Sequence, residues 1–282
     1  MLLRYPGGKS RGALVGELVK IIKLRLDRNG GKFCEPFFGG GGISFALLKE
    51  GSIKALAIGD YDYSIAKLWN AVISQHEALQ KKVRGFTPSV QAFVDAKARI
   101  IDLKGTAFDT LVVNRLSHGG RGVKAGPQGG YQQTNREPPK RPDGTLGKIY
   151  DIKCRWNPDR LCKDIEQAHS LLTTGVKLYR NAHLETCLVT SYETFLDNEN
   201  LKQYLFYLDP PYFHQGTALY RCGFEGGHEG LREKLRHCDN WVLSYDNCKE
   251  ILDLYHDCRL ETRSHVGNGG EKFERELIIT PL

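Results

Sequence analysis

No stretch of this 282-residue chain approaches the ~20 apolar residues that a membrane-spanning helix needs. The apolar run inside MLLRYPGGKS is also too short for a secretory signal. Cysteine occurs eight times (Cys34, Cys154, Cys162, Cys187, Cys222, Cys238, Cys248, Cys258), but no two are spaced as CxxC. The chain therefore reads as a cytosolic protein with reduced thiols rather than a zinc or disulfide scaffold. GxGxxG is absent, which sets aside a dinucleotide-dependent dehydrogenase, and there is no internal repeat. Acids are scarce in one place. Between Arg115 and Arg160, four of them (Glu137, Asp143, Asp151, Asp159) stand against ten lysines and arginines, so nearly the whole formal charge of +7 sits there. Glycine and proline are frequent in the same segment, and Tyr131, Tyr150 and Trp156 are interleaved. That composition suits a surface that grips a phosphate backbone, or a solvated loop with ordinary charges.

What is present is enough apolar residue, 40%, to fill a sizeable core. Two stretches alternate between strand and helix patterns. The first gives KFCEPFF as a strand, GISFALLKEG as a short helix stopped by Gly51, and IKALAIGD as a second strand. One helix is then expected through YSIAKLWNAVISQHEALQKKV, with Ile65, Leu68, Trp69, Val72 and Ile73 on one face. The second stretch, from about Leu184, offers LETCLVTSY, YLFYLD, NWVLSYD and ELIITPL as strands, with helices at EGLREKLRHC and CKEILDLYHDC. Short apolar runs separated by helices predict a mostly parallel sheet covered on both faces, with an antiparallel last strand. Residues 88–183 hold helical pieces (Val90 to Leu103, Pro158 to Thr173) around the basic segment. The expected organisation is an α/β domain from 1–87 and 184–282, split by a mainly helical insert.

Two motifs carry chemistry. EPFFGGGG, Glu35 to Gly42, has the strand, glycine turn, helix order in which a backbone can approach a nucleotide-like ligand. Asp60 follows at the end of the next strand, where an acid can accept hydrogen bonds from ribose hydroxyls. Without a phosphate signature this suits an adenosine ligand such as S-adenosylmethionine; a plain tight turn with a capping acid uses the same residues. The second motif is DPPY, Asp209 to Tyr212, after YLFYL. The prolines end the strand, so the acid and the ring stand at a sheet edge. A nucleobase amine is a poor nucleophile because its lone pair is delocalised. The Asp209 carboxyl and the Pro210 carbonyl can accept its two N–H groups and draw the nitrogen toward sp3 character, while Tyr212 offers a face worth about 1 to 3 kcal/mol for base stacking. Tyr192 is a further candidate for the wall of an adenine pocket.

With these motifs in order, the chain resembles the Dam-type (D12 class, alpha-group) DNA adenine N6-methyltransferases over almost its whole length. RYPGGKSR resembles the family's W-A-G-G-K, with Tyr5 in place of Trp and Lys9 as the cofactor-site lysine. EPFFGGGG resembles E-P-F-x-G-x-G, placing Phe37, Gly39 and Gly41, and IGDYDYSIAKLWNAV resembles the segment that gives Asp60 its ribose role. VVNRLSHGGRGV is similar to the element that opens the family's recognition region, with Gly119 where an asparagine is expected. SYDN and HVGNGGEKFERELIIT resemble the motifs that follow D-P-P-Y. The resemblance implies a Rossmann-like class I methyltransferase sheet with a mainly helical target-recognition insert. It implies transfer of a methyl group from S-adenosylmethionine to an adenine flipped out of double-stranded DNA. It also implies Asp209, Pro210 and Tyr212 as catalytic residues, and Tyr5, Lys9, Glu35, Phe37, Gly39, Gly41, Asp60 and Asp209 at the cofactor. Arg4, Asn114, Arg115, Arg121 and Lys124 are expected at the DNA. No metal, membrane or obligate protein partner is implied, and the setting is the cytoplasm of a bacterial or phage-infected cell, in restriction-modification, phage DNA protection or regulation. GATC is the first guess for the site. Other acceptors on the same fold (cytosine N4 or RNA) and a catalytically idle DNA-binding protein are the competing readings; Asp209 leans toward adenine.

Overall fold

A computed structural model describes residues 2–4, 13–133, 137–138, 140–147, 149–180, 186–214, 221–224, 227–266 and 273–282. They form two compact units, one from residues 1–6 and 67–169, the other from 7–66 and 170–282. Two of the three dividing points fall inside helices, α3 (Tyr63–Ser74) and α7 (Pro158–Thr173).

The larger unit is α/β. Its strands are β1 (Lys32–Glu35), β2 (Ala55–Asp60), β3 (Lys177–Leu178), β4 (Cys187–Val189), β5 (Leu205–Leu208), β6 (Trp241–Asp246), β7 (Arg259–Val266) and β8 (Phe273–Thr280). β3 and β4 both pair with β2, and the sheet continues β1, β5, β6, β8, β7. Every pairing from β3 to β6 is parallel, while β8 runs antiparallel to β6 and to β7. This is the Rossmann-like methyltransferase sheet that the resemblance implies, with the antiparallel last strand that the apolar pattern predicts.

All four residues of β5 are buried, as are five of six in β2 and in β6. Strands covered on both faces need no polar alternation, which is why they read as apolar runs. Cys34, Phe206, Leu208, Trp241, Leu243, Leu277 and Ile279 form one face, packed on Tyr192 and Phe195 of α8 (Tyr192–Leu196), Leu231 and Leu235 of α9 (Gly227–Leu235), and Ile251 of α10 (Lys249–Leu254). The opposite face carries Phe33, Glu35, Tyr207 and Ser244, because side chains alternate along a strand.

Five of the described α-helices and strands lie outside the expected set: α1 (Ala13–Leu26), α6 (Ala107–Leu116), α8, β3 and β7. α1 buries Leu14, Leu18, Val19, Ile22 and Leu26 and packs beside α2 (Gly42–Lys49). β7 (RLETRSHV) forms the sheet's outer edge; its charged composition hides the strand pattern, as is common at edges. The smaller unit holds α4 (His76–Arg84), α5 (Val90–Ile101), α6 (Ala107–Leu116) and most of α7. α4 corrects the single helix expected from residue 63 onward. The chain breaks at Gln75 (φ −142°, ψ 29°), just after Ser74 Oγ donates to the Asn70 carbonyl at 2.8 Å, a back-bond that bends helices. Among the described residues no helix is long and apolar enough to cross a membrane.

Candidate active site

Three carboxyl groups stand at the C-terminal edge of three adjacent parallel strands. Glu35 ends β1, Asp60 ends β2, and Asp209 follows β5 directly. β1 lies between β2 and β5. The chain runs outward from β1 through β2, β3 and β4 and then returns to β5 on the other side, and a parallel sheet opens a ligand crevice at such a switch point.

The glycine turn after β1 is tied to that edge. The Phe38 N–H donates to the Gly59 carbonyl at 2.9 Å, and the Gly39 N–H donates to Asp60 Oδ2 at 2.9 Å. Gly39 (φ +46°) and Gly41 (φ +66°) sit in the left-handed region that glycine tolerates best. A Cβ on Gly41 would come within 2.6 Å of the Phe38 ring and 2.8 Å of the Phe45 ring. Asp60 also accepts the Asp62 N–H at 2.8 Å, so its carboxyl shapes both flanking loops. Burial pushes Asp60 up to about 7, and the charge of Asp62 adds to it. Asp62 in turn pairs with Arg221 at 3.2 Å, whose guanidinium lies 4.6 Å from the centre of the Tyr63 ring. Glu35 is buried and accepts from the N–H and hydroxyl of Ser44 in the first turn of α2. Burial pushes it up to about 8, against the Ser44 hydrogen bonds and with repulsion from Asp209 and Asp60. A buried carboxyl with a raised pKa beside others is the electrostatic mark of a functional site.

Asp209 is oriented from below. Ser244 Oγ in β6 donates to Asp209 Oδ1 at 2.9 Å and lies 2.9 Å from the buried Tyr207 hydroxyl. Pro210 is buried, and Tyr212 is half-buried against the core. Phe37 lies close to Tyr192 (5.7 Å between ring centres, 26° between planes) and edge-on to Phe224 at 5.7 Å, giving an aromatic wall beside the glycine turn.

The model of one protein family, the D12 class N6 adenine-specific DNA methyltransferases, matches residues 5–110 and 166–268. The chain belongs to that family. No curated protein matches the sequence.

Among the residues that this D12-class chain was expected to use, Tyr5 and Lys9 lie outside the described residues. Glu35, Phe37, Gly39, Gly41, Asp60, Asp209, Pro210 and Tyr212 all belong to the larger unit, and Arg4, Asn114, Arg115, Arg121 and Lys124 to the smaller one. Asn114 is buried. It accepts the Arg4 N–H at 2.9 Å and donates to the Arg4 carbonyl at 2.8 Å and the Gly120 carbonyl at 3.4 Å, so its amide holds backbone rather than facing solvent. Arg115 donates to the Leu2 carbonyl at 3.4 Å, and its buried Nε has no hydrogen-bond partner among the described residues. Burial pushes its guanidinium down to about 10, with Arg4 the next cause and Arg155 and Arg160 adding, against Asp164. Arg121 and Lys124 are exposed.

The smaller unit also contains a cavity of about 500 Å³ lined by Arg4, His118, Gln128, Tyr150, Arg155 and the Gly119 and Gly129–Gly130 backbone. Arg155 lies 5.5 Å from the Tyr150 ring centre. Composition marked Arg155, Tyr150 and Trp156 as one basic, aromatic block, but the structure separates them. Trp156 is core, 4.7 Å from Phe86 and 6.1 Å from Phe108, whereas Tyr150 is exposed. Sequence reasoning assigned no role to Ser44, Asp62, Arg221 or Ser244. Asp62 and Ser244 had a signal, their places in IGDYDYSIAKLWNAV and in SYDN.

Proposed function

We propose that this chain transfers a methyl group from S-adenosylmethionine to N6 of an adenine turned out of double-stranded DNA. The observation that carries the reading is Asp209, fixed by Ser244 at the end of β5 beside Glu35 and Asp60. Glu35 and Asp60, both buried carboxyls with raised pKa values, are drawn to the charged form by a nearby cation, and S-adenosylmethionine has two cationic groups. When bound, it supplies a methyl group activated by a positively charged sulfur. Glu35, Phe37, the Gly39–Gly41 turn and Asp60 hold it, with Tyr5 and Lys9 assigned by family likeness. Asp209 and the Pro210 carbonyl accept the two N6–H groups of the target adenine, which frees the nitrogen lone pair, and Tyr212 stacks on the ring. Proximity and alignment supply most of the acceleration. Extruding the base costs a few kcal/mol of stacking.

DNA is gripped by Arg4, Arg115, Arg121 and Lys124, with Arg155 and Tyr150 added from the cavity. Asn114 shapes the site by holding Arg4 and Gly120. Residues 88–183 serve target recognition, and 1–87 with 184–282 serve catalysis. The unmatched stretch between the two family-matched segments contains the whole basic segment, so the recognised sequence is this chain's own property.

Single-molecule methylation mapping tests the reading, on genomic DNA from a methylation-deficient host expressing the protein or its Asp209→Ala variant. N6-methyladenine at one recurring sequence, absent with the variant, supports it. Methylation at the parental level by Asp209→Ala sinks the mechanism.

A further inference from the structure

We infer that Glu276 is a positioning residue that fixes the ring of Tyr212 for the target base. The inference rests on the reading of Tyr212 as the surface on which that base stacks. SYDN and ERELIIT were singled out in the sequence without any chemistry of their own, and both prove to end on the DPPY segment. The Tyr212 hydroxyl lies 2.8 Å from each oxygen of Glu276. One residue on, the Phe213 N–H donates to Asp246 Oδ1 at 3.2 Å. Upstream, Pro210 and Pro211 lock the approach, because proline fixes φ. The tyrosine is therefore held at the backbone on both sides and at the tip of its ring.

The placement of these two acids argues for a purpose beyond folding. Asp246 in β6 and Glu276 in β8 stand directly opposite each other in the antiparallel ladder, on the same face. Like-charged residues in that position destabilise a sheet, and glutamate is almost never as buried as Glu276, which is 2% exposed. A sheet selected for stability alone would place apolar residues there, like its neighbours Leu277 and Ile278. What the two carboxyl groups share is the segment they receive, one through a side chain and the other through a backbone N–H. A phenol ring has only two soft torsions. Anchoring its hydroxyl sets the plane on which a base can lie before the base arrives, and such preorganisation speeds the step without tightening binding.

The test uses purified full-length protein, tritium-labelled S-adenosylmethionine and DNA from a methylation-deficient host. It compares Tyr212→Ala, Tyr212→Phe, Glu276→Gln, Glu276→Leu and the double variant Tyr212→Phe/Glu276→Leu. Tyr212→Phe keeps the stacking ring and loses the anchor, so kcat falls about tenfold, the size of one strong hydrogen bond, while KM for DNA stays near parental. Glu276→Gln keeps an acceptor and stays within about threefold of parental. Glu276→Leu matches Tyr212→Phe, and the double variant is no worse than either single change, the signature of one shared interaction. Additive losses in the double variant overturn the inference. So does a parental kcat in Tyr212→Phe and Glu276→Leu when Tyr212→Ala is inactive, a pattern that leaves the stacking role intact. A parental rate in Tyr212→Ala removes the stacking role itself. If Glu276→Leu does not fold, Tyr212→Phe decides: a parental kcat refutes the anchor, and a tenfold loss with Glu276→Gln near parental upholds it.

Discussion

Glu35 and Asp60 make the folded chain sensitive to pH in the direction opposite to most carboxyls. Burial raises both, to about 8 and about 7, above the unfolded values near about 4.3 and 3.9. The native state then binds their protons more tightly than the unfolded chain. Their contribution is most favourable below the unfolded pKa and is lost as pH rises through the folded one. Without cofactor, the urea midpoint should fall between about pH 5 and about pH 8, and Glu35→Gln should flatten part of that slope because the amide still accepts from Ser44. A parental slope in Glu35→Gln would show that Glu35 is not the titrating group. Gly41 makes a steric prediction. Alanine there meets both a left-handed φ and the rings of Phe38 and Phe45, so Gly41→Ala should destabilise by about 1 to 3 kcal/mol in urea unfolding. Both positions were legible as a motif. Their protonation was not, because it depends on burial that no spacing reveals.

α6 shows how one element serves residues proposed to bind DNA. Its first turn is a capping box: Thr106 Oγ1 accepts the Asp109 N–H at 3.2 Å, and Asp109 accepts the Thr106 N–H at 2.9 Å. Arg99 from α5 donates to the same Asp109 at 2.6 Å. Burial alone would raise the Asp109 pKa, but Arg99 and Thr106 outweigh it and hold it below the ordinary value. Its stabilising effect is therefore present above the unfolded pKa and is lost as pH falls through the folded one. Thr106→Ala should cost about 1 kcal/mol of stability, measured by denaturant unfolding. The last turn of the same helix carries Asn114, which holds Arg4, and Arg115, so looser DNA binding should accompany the loss. α6 was not among the expected helices, although T-x-x-D precedes its apolar run. The break at Gln75 was not legible either, since nothing in the apolar stripe marks it. β7 was hidden by the charges that protect an exposed edge.

The division into two units separates DNA contact from chemistry in the proposed function. Arg121 and Lys124 are exposed on the smaller unit, and the carboxyl edge belongs wholly to the larger one. Arg121→Ala and Lys124→Ala should each lower the slope of log K for DNA against log salt by about 1, read from filter binding over a salt series. Single-turnover transfer at saturating DNA should stay near parental in both. An unchanged salt slope would remove that residue from the phosphate contacts. Asp209→Ala should do the reverse, with DNA affinity retained and transfer lost. Either mixed result would mean that the two tasks are not divided as proposed.

The sequence by itself determined six of the eight described strands, the family, and the positions of the glycine turn and the DPPY segment. Local backbone chemistry dictates each of these: apolar runs make buried strands, glycine permits the turn, and proline ends the ladder. Tertiary structure alone decided which side chains serve them. Ser244 reaches Asp209 from 35 residues away, and Glu276 reaches Tyr212 from 64. Those pairings depend on strand order and register, with β8 inserted between β6 and β7 and every other residue turned to one face. Asn114 is the same lesson in reverse. Its motif suggested a contact with DNA, and only the fold turned its amide inward onto Arg4 and Gly120, because a buried amide must find partners where the chain supplies them.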